Sequence, residues 1–184
     1  MRIARSSLHY AIVGAMLVST WMLVPPIAHA QNTENPEVTR LLADARDKAA
    51  VLSRDADEME SLIRTDASWQ THAAMLDEVK RHVNDLGRAA QKLEESRSSA
   101  SPWQQQAIDR MMPLLKELAA NTTAAINHLN ENRIRPTTGN YPEYLKENAE
   151  TAQQLSDMIS SYVRYGQTRE KLEKLEQRLE VARK

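Results

Sequence analysis

Residues 36 to 65, PEVTRLLADARDKAAVLSRDADEMESLIRT, decide the fold. Two interleaved apolar series recur there every seven positions: Val38, Ala45, Leu52 and Met59, and Leu42, Ala49, Ala56 and Ile63. That period places both series on one stripe of an α-helix, while Asp, Glu, Lys and Arg fill the remainder. The segment therefore predicts an amphipathic helix that must bury its stripe against other helices. Ala alternating with larger residues permits close approach of a neighbour.

The pattern continues outward from this helix. Trp69, Leu76, Val83 and Ala90, interleaved with His72, Val79, Leu86 and Leu93, predict a second helix of the same kind. Thr65, Asp66 and Ser68 are N-cap residue types and mark a break between the two, with one continuous helix through residue 66, and hence three helices, as the competing reading. SRSSAS at 96 to 101 ends helix two, and Ser101-Pro102 opens helix three as N-cap and first-turn proline. Helix three runs to about Arg133, with Pro113 predicted to kink it. Pro, Gly and Asn together in Ile134 to Tyr141 predict a loop, and Pro142-Glu143 opens helix four. Leu145, Asn148, Ala152, Leu155, Ile159, Tyr162 and Gly166 form its inner face.

With no Phe, four Gly in the whole chain and no alternating β-branched run, sheet is not expected. The expected fold is all-α, an antiparallel up-down-up-down four-helix bundle over residues 31–166. Helix four is longer than its partners. Beyond Gly166, Leu172, Leu175, Leu179 and Ala182 keep a 3-4-3 spacing on a different face, so residues 167–184 read as a short coiled-coil-like tail. Alone such a segment is marginal in water, and Leu172, Leu175 and Leu179 are the expected partner contacts. The partner is a second copy of the chain, another envelope protein, or the chain's own first helix. A frayed, charged terminus is the alternative.

The first thirty residues read as a cleaved signal peptide. Arg2 and Arg5 precede a 17-residue uncharged apolar run, Leu8 to Val24, and Pro25-Pro26 separates it from Ala28-His29-Ala30. Small residues at Ala28 and Ala30 predict cleavage before Gln31, and the run lies at the short limit for a retained membrane anchor. The chain is then expected in the periplasm or outside the cell, with no stable membrane span after cleavage. Two of the 24 Lys+Arg and none of the 25 Asp+Glu precede Gln31, which leaves 22 against 25 and a net charge near −3. Such a mixed, weakly acidic surface gives no footprint for nucleic acid. Zero Cys excludes disulfides, thiolate metal sites and covalent haem.

Candidate chemistry is sparse. In LAANTTAAINHLNENR, residues 118 to 133, a helical wheel puts Asn121, Asn127, His128 and Asn132 off the seam. Thr122 falls inside it, where its hydroxyl can bond the carbonyl one turn back. His72 shares the inner face of helix two, but His82 is ten residues away, about 15 Å along the helix, and no Glu-x-x-His occurs after Gln31, so no metal or other cofactor is expected. The methionines read as core filling. No nucleophile elbow or phosphate loop is present, and the carboxylates read as partners of Lys and Arg on solvent faces, so an enzyme is not expected. Tyr144 and Tyr162 fall on the inner face of helix four. Trp69 and Trp103 each begin a helix, and together with His72 they are the candidates for an aromatic pocket at one bundle end. The functional expectation is a non-enzymatic envelope protein acting through protein contacts, the alternative being a small-molecule or metal-binding bundle built on that pocket.

Overall fold

The computed structural model describes residues 34–183, which form four α-helices: α1, Pro36–Ser61; α2, Trp69–Glu95; α3, Pro102–Glu131; and α4, Tyr141–Ala182. Each helix packs against its neighbours in sequence and α4 closes on α1, so the cross-section is a four-membered ring. Cross-helix bonds fix the antiparallel order. Ser53 Oγ donates to Gln153 Oε1 at 2.9 Å between α1 and α4, and Trp69 Nε1 donates to the Leu129 carbonyl at 2.9 Å between α2 and α3. This is the expected four-helix bundle. The stretch Ala28, Ala30 and Gln31, with the apolar run before it, lies outside the described residues.

Local chemistry sets the boundaries. Asn35 Oδ1 accepts from the Glu37 and Val38 amides and starts α1. A short 3₁₀ turn, Leu62–Arg64, ends it, and Ser68 Oγ accepts from Thr71 N to start α2. Helices one and two are therefore separate, which removes the three-helix alternative. At the head of α3, Gln104 Oε1 accepts from Ser101 N at 2.9 Å and from Asn35 N at 3.2 Å, while its Nε2 donates to the Asn35 carbonyl and Thr39 Oγ1. Fully buried, Gln104 ties the first turn of α3 to the first turn of α1.

The heptad series form the core. Leu42, Leu52 and Met59 of α1, Leu76, Leu86 and Leu93 of α2, Ile108, Met111 and Leu118 of α3, and Leu145 and Leu155 of α4 are almost wholly withdrawn from water. Burial of each is worth roughly 1.5–3 kcal/mol, whereas exposed i,i+3 and i,i+4 ion pairs such as Arg40–Glu37 are screened by solvent and add little. Packing is the dominant stabilising term. α3 continues through Pro113. Ile63 and Tyr162, read onto the inner faces, are half-buried, and in α3 Ala125 faces the core beside a half-buried Ile126. No helix among the described residues is long and apolar enough to cross a membrane.

Candidate functional site

The loop predicted to include Tyr141 ends one residue earlier. Gly139 adopts φ 60°, a left-handed turn that non-glycine residues rarely take, and Asn140 then leads into α4 with Tyr141 as its first residue. Tyr141 is fully buried, and its hydroxyl lies 3.2 Å from Nδ1 of the equally buried His72. The His128 ring stacks on Tyr141 at 5.5 Å between centroids, so three rings from α2, α3 and α4 fill this end of the bundle. Burial pushes the His72 imidazole below its ordinary pKa and the Tyr141 phenol above its own, so both stay neutral near pH 7. Nε2 of His72 and of His128 are buried without hydrogen-bond partners. His128, placed off the seam by the helical wheel, belongs to this cluster because the α3–α4 connection folds over it: a Cβ at Gly139 would lie 3.2 Å from His128 Cε1.

Trp69 closes the same end from outside. Its indole donates to the Leu129 carbonyl, and the Arg133 guanidinium stacks over its ring at 4.7 Å. Trp103 sits at the opposite end. Its Nε1 donates to Glu34 Oε1 at 3.1 Å, and its ring meets Tyr165 edge-on at 5.6 Å. The expected common pocket of His72, Trp69 and Trp103 does not form, because α2 and α3 run in opposite directions and their first turns lie a bundle length apart. Trp103 instead borders an open groove of about 480 Å³ shared with Arg110, Met158, Tyr162 and Tyr165.

Gly166 is the last buried residue of α4. Its missing side chain is required by the Trp103 indole, since a Cβ there would lie 2.7 Å from Trp103 Cη2. After this contact α4 continues for sixteen residues to Ala182, roughly 24 Å at 1.5 Å per residue. Arg169 reaches back to Glu34, just ahead of α1, at 3.7 Å. Leu172, Leu175 and Leu179 are 54%, 52% and 70% exposed, so the tail does not fold back on α1.

Thr122 and Asn148 are buried on the inner faces as read from the sequence, but their hydrogen bonding, and the surroundings of His82, were not legible there. Thr122 Oγ1 is buried without a partner, and the expected bond to the carbonyl one turn back is absent. Asn148 is 2% exposed with both amide atoms unpaired. His82 reaches the α1–α2 seam, where its Nδ1 lies 2.6 Å from Asp55 Oδ2 and Glu78 stands one turn before it. The Glu78-x-x-x-His82 spacing was visible in the sequence; the Asp55 register was not. No family model, curated protein or solved structure matches the chain, which leaves the residues themselves as the ground for a functional reading.

Proposed function

We propose that the chain is an exported, non-enzymatic assembly protein whose α4 tail pairs with a helix of a protein partner, first of all the tail of a second copy. The supporting observation is the row of Leu172, Leu175 and Leu179, more than half exposed on a helix that overhangs its own bundle. An isolated peptide of this length pays the nucleation penalty of its first turn. The tail avoids that penalty because α4 is already helical beneath it, and the Lys174–Glu170 pair at 2.5 Å continues the helix outward. It presents a preformed apolar row. Charges of both signs flank that row, Lys171 and Lys174 beside Glu173 and Glu176, which suits another mixed-charge helix better than a strongly acidic or basic surface.

The magnitude sets the kind of assembly. Completing the burial of a half-exposed Leu is worth about 1 kcal/mol, so six leucines in a pair of tails supply roughly 6 kcal/mol against an association cost of about 4–15. Self-association through the tails is therefore weak and reversible. Export is supported by the sequence pattern that ends at Ala28-His29-Ala30.

Light scattering over a concentration series tests the reading. The chain is expected to gain apparent mass with concentration, and the Leu175→Asp variant and a chain ending at Gly166 to remain monomeric. Protein recovered from the envelope fraction should begin at Gln31. A chain that stays monomeric, with the same in-cell cross-links as Leu175→Asp, overturns the assembly role; recovery from the cytoplasm with Met1 intact overturns export.

A further inference from the structure

Away from the tail, on the α1–α2 face, Glu78 and His82 are four residues apart on α2 and so project from one side of that helix, one turn apart. The antiparallel register of α1 brings Asp55 to the same level. One donor atom from each side chain, the imidazole nitrogen and two carboxylate oxygens, lies within 4.8 Å of the other two. We propose that Asp55, Glu78 and His82 bind one first-row divalent transition-metal ion of the zinc(II) type.

The contact between His82 and Asp55 carries this inference beyond a plain cluster of charges. Nδ1 of His82 is buried and lies 2.6 Å from Asp55 Oδ2, yet it has no hydrogen-bond partner, so the nitrogen is not aligned to exchange a proton with the carboxylate beside it. The side chains of both residues are only 15% and 13% exposed. A cation between this nitrogen and the carboxylate would give both a partner once the nitrogen presents its lone pair.

The adjustments required are small. Zinc bonds of about 2.0–2.2 Å in a tetrahedral shell hold their donors roughly 3.3–3.5 Å apart. Asp55 and His82 must open by under about 1 Å, and Glu78 must swing inward by about 1 Å or more. Glu78 is free to do so: its partner Arg81, at 2.7 Å, is 60% exposed and Glu78 itself 53%, so solvent screening leaves that pair little hold on it. Arg54, 3.5 Å from Asp55 and 72% exposed, is equally able to move aside.

Three protein ligands leave a tetrahedral ion one open position. Beside His82 a groove of about 290 Å³, lined also by Asp47, Lys48, Val51 and Asp85, gives an entry path and room for a water as fourth ligand. Two carboxylates balance the charge of a divalent ion. One imidazole among oxygens selects zinc(II), cobalt(II) or nickel(II) over calcium and magnesium, which take all-oxygen shells. The ion would clip α1 to α2 and touch nothing in the tail, so this site and the assembly role stand or fall separately.

Titration calorimetry of the untagged, chelator-treated chain with zinc chloride, repeated with cobalt chloride followed by visible absorption, tests the site. The expected result is one ion per chain, a melting temperature raised by zinc, and cobalt bands of a low-coordinate nitrogen and oxygen shell. His82→Ala should abolish binding. Glu78→Gln, at an exposed position that leaves the apo melting temperature unchanged, should weaken it by at least about tenfold, and it decides the matter if His82→Ala does not fold. No saturable heat with either metal, or zinc binding unchanged in Glu78→Gln and in any folded His82→Ala protein, overturns the proposal.

Discussion

α4 is two helices in one. Between Tyr141 and Gly166 it places Leu145, Leu155 and Ile159 in the core, each at most 1% exposed. From residue 167 onward it carries leucines at the same kind of spacing, and all of them face water. Composition differs, since Glu, Lys, Arg and Leu make up 7 of the 26 residues from 141 to 166 and 13 of the 18 from 167 to 184, yet both halves carry an apolar row. What decides burial is the presence of neighbours: α1 and α3 flank the first half, and among the described residues no helix extends beside the second. An apolar stripe thus reports a demand for burial, and the lengths of the partner helices determine whether the chain meets that demand itself.

One pair of substitutions tests this contrast directly and carries the largest expected difference. Leu155→Ala opens a cavity in a closed core and should cost about 2–5 kcal/mol in denaturant unfolding. Leu175→Ala, at dilute concentration, should stay within about 0.5 kcal/mol of the parent. Comparable losses at the two positions would show that the tail packs on its own bundle.

Gly166 marks the boundary, and Gly166→Ala sharpens it. Alanine favours a helix interior over glycine by about 1 kcal/mol, so an open site would be stabilised. Here the added Cβ would fall 2.7 Å from Trp103, whose indole is held in place by its hydrogen bond to Glu34. Overpacking of this kind costs about 1–3 kcal/mol, so a net loss near 1 kcal/mol is expected, with a change in tryptophan emission as the Trp103–Tyr165 contact shifts. A more stable variant with unchanged emission would place the end of the packed region elsewhere.

These features differ in how far they could be read before the structure. The seams of α1 and α2 were legible because a seven-residue period is local: Val38 to Met59 and Leu76 to Leu93 sit where the repeat puts them. Tyr141 was not, because Gly139, Asn140 and Pro142 surround it with loop chemistry, and only the fold over His128 turns its ring inward. The separation of Trp69 from Trp103 was available from topology, since consecutive antiparallel helices begin at opposite ends. Asp55 beside His82 depends on the register between two helices, and no single-helix pattern encodes that. The free hydroxyl of Thr122 is a matter of rotamer and of neighbours.

The smallest predicted effect concerns pH, and it too divides α4. In the tail, Glu170 has its pKa lowered by the hydrogen bond and charge of Lys174, but the group is fully exposed and solvent screening leaves it little bearing on stability. In the packed half, the neutral His72 against Tyr141 has its pKa lowered by burial. The unfolded chain, where the imidazole titrates near its ordinary value of about 6.5, then binds a proton that the folded chain refuses. Stability is at its full value above that pH and declines as pH falls through and below it, until the folded state is itself protonated. Melting temperature should therefore drop between pH 7.5 and pH 5 for the parent chain and for the chain ending at Gly166 alike. His72→Gln, which starts less stable, should show a flatter profile. Parallel profiles for parent and His72→Gln would assign the acid sensitivity to another group. A profile that flattens on removal of the tail would move it out of the packed half of α4.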